Sequence, residues 1–195
     1  MKIGEINTRE KVLVIAEIGN NHEGSYTLAE EMIGLAVEAG ADAVKFQTII
    51  PEKLVSIQQK TRIKQLKKFQ LSYDEFTKLS KVAKNEGVIF LSTPFDIDSA
   101  LFLNELVPAY KIASGDNDFY PLIEVIAEIG KPIIMSTGLM NLDEIEKSVL
   151  FIKNIWKKNH NKEELALLHC VSTYPTPPEN ANLLAINELE QIADI

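Results

Sequence analysis

A single cysteine, Cys170, is all the chain contains. No intramolecular disulfide can form, which fits a reducing compartment. Cys170 sits inside an apolar run and reads as a small buried hydrophobe rather than as a nucleophile. No apolar run approaches the roughly 20 residues that a membrane span needs. The opening stretch, MKIGEINTREK, lacks the apolar segment of a signal peptide, so a cytoplasmic protein is expected. Basic charge is in deficit: 20 Lys and Arg against 28 Asp and Glu leave a net charge of −8. That argues against nucleic acid as a partner, because phosphate-backbone binding needs a basic face. A small anion held by a few local lysines stays open. The basic residues that do cluster, Lys60, Arg62, Lys64, Lys67 and Lys68, read as a solvated face. There is no low-complexity segment, no Pro/Gly-rich linker, and no HExxH, CxxC, P-loop, GxSxG or EF-hand pattern. Nothing selects Ser–His–Asp catalysis.

What is present is a regular alternation. The 195 residues suffice for one sizeable core or two small ones. Six β-like runs occur, at 12–19, 42–47, 88–95, 109–115, 132–138 and 165–171. They are continuously apolar rather than alternating, as in strands covered on both faces. Amphipathic stretches lie between them. Leu28, Met32, Leu35, Ala36 and Ala39 form one stripe, Phe76, Leu79 and Ala83 a second, and Leu142, Ile145, Val149 and Ile152 a third, with Asn141 as its N-cap. Gly40, Gly87 and Gly130 each fall between a helix and the next strand, where a left-handed C-cap favours glycine.

Such a series implies parallel strands with right-handed crossovers. The first strand is followed by GNNHEG rather than GxGxxG, which weakens a dinucleotide-binding reading. Nearly every strand ends in polar residues: Glu17, Lys45 and Gln47, Ser92 and Thr93, Lys111 and Ser114, Ser136 and Thr137, and His169. An open sheet gathers its site at one switch point, whereas a barrel collects it from many strand ends. The expected fold is therefore an α/β (β/α)8 TIM barrel with about six of its eight βα units in this chain, closing on LLAINELEQIADI as the sixth helix. Six units would leave two unpaired edges, so an incomplete chain is expected.

Lys45 and Gln47 lie two apart and share a strand face. A lysine inside a β run is costly unless it meets an anion. That anion is either a ligand's carboxylate or phosphate, or a carboxylate of the chain such as Glu17. Lys111 interrupts a second apolar run, with Ser114 and Gly115 at its end, a reasonable phosphate site. The STPF and STG segments add hydroxyl donors. His169 is read either as a satisfied strand residue or as a functional one; His160, in a charged connection, has no expected role.

AEIGNNHEGS, ADAVKFQT, LSTPFD, YKIASGD, MSTG and LLHCVSTYPTP, in this order over nearly the whole chain, resemble the sialic acid synthase family of N-acetylneuraminate, legionaminic acid and spore-coat polysaccharide synthases. The resemblance implies a barrel enzyme condensing phosphoenolpyruvate with an N-acetylated amino sugar, with a divalent metal, Mn2+ or Mg2+, polarising the sugar aldehyde. By motif, Lys45 and Thr93 would meet the carboxylate of phosphoenolpyruvate, and Lys111, Ser114, Ser136 and Ser172 its phosphate. Glu17, as the catalytic group, with Gln47, Asp116 and Tyr174, would face the sugar and the reacting centre. His22 and Glu23 would shape the loop around Glu17.

Asp116 stands where N-acetylneuraminate-forming members often have Glu, and Ser172 where they often have Asn. Both departures bear on the sugar more than on the reaction class, and NNHEG departs from the pseudaminic acid synthase pattern. The family's metal-binding histidines belong to SDH and EKHF motifs, which do not occur here. Metal ligands are accordingly expected beyond residue 195, together with an antifreeze-like domain and a homodimer in the full-length protein. The competing readings are a non-catalytic barrel fragment and a phosphoenolpyruvate aldol-type synthase that uses a phosphorylated sugar.

Overall fold

The computed structural model describes residues 1–194. After two short strands, β1 (Lys2–Ile3) and β2 (Ile6–Asn7), come β3 (Ile15–Gly19), α1 (Tyr26–Glu38), β4 (Ala43–Thr48), α2 (Pro51–Leu54), α3 (Lys60–Leu66), α4 (Tyr73–Asn85), β5 (Ile89–Pro94) and α5 (Ile97–Leu103). Then follow β6 (Tyr110–Ile112), α6 (Tyr120–Ile129), β7 (Ile133–Ser136), α7 (Leu142–Lys158), β8 (Leu165–Leu168) and α8 (Ala185–Leu189). Two compact units result, one of Gly4–Pro108 and one of Met1–Ile3 with the chain from Ala109 onward.

In the Gly4–Pro108 unit, β3, β4 and β5 form a parallel sheet in that order. The fully buried Phe46 anchors its core, with ring centroids 5.6 Å from Phe90 and 6.4 Å from Phe76 of α4. Helix α4 starts at a capping box in which the Ser72 side chain accepts from the Glu75 amide and Glu75 accepts from the Ser72 amide. Its buried face is Phe76, Leu79 and Ala83, as the spacing predicts.

Helix α1 departs from the expected stripe. Its buried residues are Ala29, Ile33 and Ala36, while Leu35 is 56% exposed and Ala39 is exposed as well. Ala29, Ile33 and Ala36 face α4 and β3, and Leu28 and Met32 are half-buried beside them. The cluster Lys60, Arg62, Lys64, Lys67 and Lys68 is exposed on and just after α3, with Lys67 ion-paired to Glu52.

The other unit carries a second parallel sheet, β6–β7–β8. Helix α7 opens on a capping box between Asn141 and Glu144 and buries Ile145, Val149 and Ile152, while Leu142 is 44% exposed. All six expected strands are present; β4 has its expected length, the other five are shorter, and Ser114, Thr137 and His169 fall just past the ends of β6, β7 and β8. Gly40, Gly87 and Gly130 have φ of +83°, +78° and +74°, as their cap positions require. The expected sixth helix shrinks to the five residues of α8, preceded by a 3-10 turn at Pro178–Asn180; Ile195 lies outside the described residues. Cys170 is partly exposed rather than buried, because it follows β8 instead of continuing it.

Candidate active site

In the first sheet, Glu17 stands directly opposite Lys45 in the β3–β4 ladder, and Lys45 opposite Leu91 in the β4–β5 ladder. Thr93 is two residues past Leu91, so it shares the face of Lys45. The Lys45 ammonium, 7% exposed, donates to Thr93 Oγ1 at 3.2 Å and pairs with Glu17 Oε2 at 2.5 Å. Of the two anions raised for this lysine, the structure shows the chain's own carboxylate, Glu17, with the Thr93 hydroxyl beside it at a strand end. Glu17 keeps about half of its side chain exposed, so the ion pair opens to solvent on the carboxylate side. Gln47 lies on the same face and accepts from Asn20 Nδ2 at 2.7 Å.

The loop from Gly19 to Gly24 is fixed around these groups. Gly19 and Gly24 have φ of +56° and +82°, and a Cβ on Gly24 would stand 2.0 Å from the Lys68 carbonyl oxygen. His22 is fully buried, its Nδ1 accepts from the Gly24 amide at 3.1 Å, and it lies 6.0 Å from the Phe46 ring. With Nδ1 accepting, the proton belongs on Nε2, which has no hydrogen-bond partner among the described atoms. Burial holds the imidazole below the usual histidine range, partly offset by Glu75. His22 is thus a neutral, loop-shaping residue.

The second sheet repeats the same diagonal. Lys111 stands opposite Ile134, and Ser136 is two residues beyond. Lys111 Nζ donates to Ser136 Oγ at 2.6 Å and to the Ile112 carbonyl at 2.6 Å. In each sheet, then, a buried strand lysine reaches a hydroxyl two residues further along the neighbouring strand. The turn after Ser136 brings in more hydroxyls. A Cβ on Gly138 would lie 2.7 Å from Ser114 Oγ and 2.9 Å from Ser172 Oγ. Lys111, Ser114, Ser136 and Ser172 thereby converge on one turn, giving an ammonium and three hydroxyl donors suited to an anion.

Asp116 lies beside this cluster with Oδ2 buried and without a hydrogen-bond partner among the described residues. Burial pushes its carboxyl up to about 6; Asp118 adds to the rise and Lys111 opposes it. Tyr174 is 96% exposed on the loop after β8 and is not drawn into the cluster. His169 Nε2 lies 2.7 Å from the Ala181 carbonyl, which supports its structural reading; with Cys170, Thr137 and Leu139 it lines a cavity of about 720 Å3. Among the described residues, no group of three or more His, Cys, Asp or Glu could hold a metal ion.

Asn117 went unread in the sequence, and Asn20, part of the polar GNNHEG segment, was given no partner there; Asn117, 3% exposed, donates to the carbonyls of Ser136 and Gly138, and Asn20 supports Gln47. Both lie in polar loops whose composition already fits ordinary turns.

Residues 32–195 match the sequence profile of the NeuB family. The N,N'-diacetyllegionaminic acid synthase of Campylobacter jejuni is 38% identical over 93% of this chain, and a pseudaminic acid synthase of the same species is 36% identical over 98%. The NNHEG departure therefore does not separate the chain sharply from the pseudaminic branch. The chain spans 58% of each of these relatives. Among solved structures, the N-acetylneuraminic acid synthetase of Leptospira borgpetersenii superposes with a TM-score of 0.87 at 35% identity, covering 98% of this chain and 66% of that one.

Proposed function

The chain belongs to the NeuB family, and on that premise we propose that it is part of a (β/α)8 nonulosonate synthase that condenses phosphoenolpyruvate with an open-chain N-acetylated amino sugar. C3 of phosphoenolpyruvate forms the new carbon–carbon bond with the aldehyde carbon. The C2=C3 π electrons form that bond and the aldehyde oxygen takes up a proton; water adds at C2 and gives up a proton. The bond from C2 to the bridging phosphate oxygen then breaks, inorganic phosphate leaves with the electron pair, and the C2 hydroxyl loses its proton to become the keto group. The observation that carries this reading is the repeated lysine-to-hydroxyl diagonal, Lys45 to Thr93 and Lys111 to Ser136. Two buried ammonium groups suit a substrate with one carboxylate and one phosphate.

Within this reading Lys45 and Thr93 bind the carboxylate, and Lys111, Ser114, Ser136 and Ser172 bind the phosphate. Glu17 acts at the reacting centre, and Gln47, Asp116 and Tyr174 contact the sugar. Tyr174 must leave its solvent-facing position to do so. The described residues do not supply a donor set for the divalent metal that the family likeness implies, and no step is assigned to one. The cytoplasmic location rests on the polar opening stretch and the homodimer on the family likeness, and both belong to the same reading.

The test is phosphate release from phosphoenolpyruvate with a panel of free and phosphorylated N-acetylated sugars. Release with free amino sugars supports the reading. Release only with phosphorylated sugars transfers the chain to the competing synthase class, and no release with any sugar, from this chain or from a longer product of the same gene, removes the catalytic reading.

A further inference from the structure

We infer that Asn117 is a positioning residue for the anion cluster: its side-chain amide fixes the turn at Ser136–Gly138, and through that turn the direction in which the Ser136 hydroxyl and the Lys111 ammonium meet a phosphate group. The inference rests on the proposed reading of that cluster as a phosphate site.

Asn117 has two amide protons and uses both. Nδ2 donates to the Ser136 carbonyl at 3.1 Å and to the Gly138 carbonyl at 2.9 Å, spanning the turn on either side of Thr137. Its own backbone carbonyl accepts from Ser148 Oγ of α7 at 3.0 Å, and Ser148 is fully buried. The turn is held from its other side by Thr137, whose amide and hydroxyl both reach the Leu168 carbonyl at 3.0 Å. Of the two clamps, Asn117 is the one that reaches Gly138, the point on which Ser114 and Ser172 converge. An apolar residue could fill the space but would leave two carbonyls without their donor. An aspartate has the same shape and would set a carboxylate against them.

The experiment is a binding titration with phosphoenolpyruvate, and separately with pyruvate, which keeps the carboxylate and lacks the phosphate. Wild type is compared with Lys111→Met, Asn117→Ala and Asn117→Asp, each checked for cooperative thermal unfolding. Expected are a loss of phosphoenolpyruvate affinity of about tenfold in Asn117→Ala and more in Asn117→Asp, with the pyruvate affinity of both unchanged. Wild-type phosphoenolpyruvate affinity in a folded Asn117→Ala, while Lys111→Met is impaired, overturns the inference and leaves the phosphate site standing. Equal loss of both ligands also overturns it, because a general packing defect would do the same. If Asn117→Ala does not fold, Ser148→Ala decides. That variant frees the Asn117 carbonyl and also the Tyr120 hydroxyl, which lies 3.4 Å from Ser148 Oγ; a weakening of about twofold or more for phosphoenolpyruvate alone supports the inference, and no change overturns it. No phosphoenolpyruvate binding by wild type overturns the functional reading, and the inference with it.

Discussion

Glu17 Oε2 lies 2.5 Å from Nζ of Lys45, the residue directly opposite it across the β3–β4 ladder. One partner is almost wholly buried and the other half exposed. The pair therefore presents a carboxylate to solvent while keeping the compensating cation beneath it. Glu17→Gln retains shape and removes the charge. If Glu17 acts on the reacting atoms, turnover falls by at least tenfold while phosphoenolpyruvate affinity changes little. Steady-state kinetics of the active enzyme check this, and wild-type turnover would remove Glu17 from the mechanism.

Lys111→Met keeps the apolar stem of the side chain and deletes the ammonium. Charge-assisted hydrogen bonds contribute roughly 1.5–3 kcal/mol, so phosphoenolpyruvate affinity should fall about tenfold to a hundredfold. Calorimetric titration measures it. Unchanged affinity would mean that the Lys111–Ser136 pair is purely structural.

Asp116 should make stability depend on pH in an unusual direction. Its folded pKa, about 6, lies above the ordinary value of 3.8, so the folded state holds the proton more tightly than the unfolded one. Stability contributed by this group is complete below the unfolded value and is lost as pH rises from about 4 to about 6. Asp116→Asn should match wild type near pH 4 and melt at a higher temperature at pH 7. Melting curves across that range provide the test, and a wild-type profile in the variant would refute the assignment.

His22 acts with the opposite sign. Burial depresses its pKa, so the folded state favours the neutral ring and stability is lost as pH falls below the ordinary value of 6.5. His22→Asn keeps an acceptor near the Gly24 amide and removes the titration. Its melting temperature should change less than that of wild type between pH 7 and pH 5. An equal acid slope in both proteins would sink the prediction.

Gly24→Ala should destabilise the Gly4–Pro108 unit by about 2 kcal/mol or more. The new methyl would meet the Lys68 carbonyl oxygen at 2.0 Å, and φ of +82° already disfavours any side chain there. Chemical denaturation measures the loss. A variant as stable as wild type would show that the 19–24 loop can shift without strain.

The strands were legible because uninterrupted apolar runs between glycine-ended helices leave few alternatives. Lysines in such runs point to Lys45 in one sheet and Lys111 in the other, and each has a hydroxyl partner on the neighbouring strand. The α1 stripe, drawn from apolar spacing, includes Ala36, which is buried, but also Leu35 and Ala39, which are exposed, because the packed face runs through Ala29 and Ile33. Asn117 was illegible for a different reason. Its partners are backbone carbonyls about twenty residues away, and a carbonyl has no letter in the sequence. Tyr174 belongs to a motif that reads as functional, while its side chain faces solvent, so motif and placement carry separate information.

At Gly138 the missing side chain sets a tolerance. Ser114 Oγ and Ser172 Oγ stand 2.7 Å and 2.9 Å from where a methyl would be, so the clearance there is less than one carbon atom. Three loops, each free to vary in length elsewhere, must agree at that point to a fraction of an ångström. Mismatch among them would register as collision rather than as gradual weakening of hydrogen bonds, and failure at this turn would be abrupt.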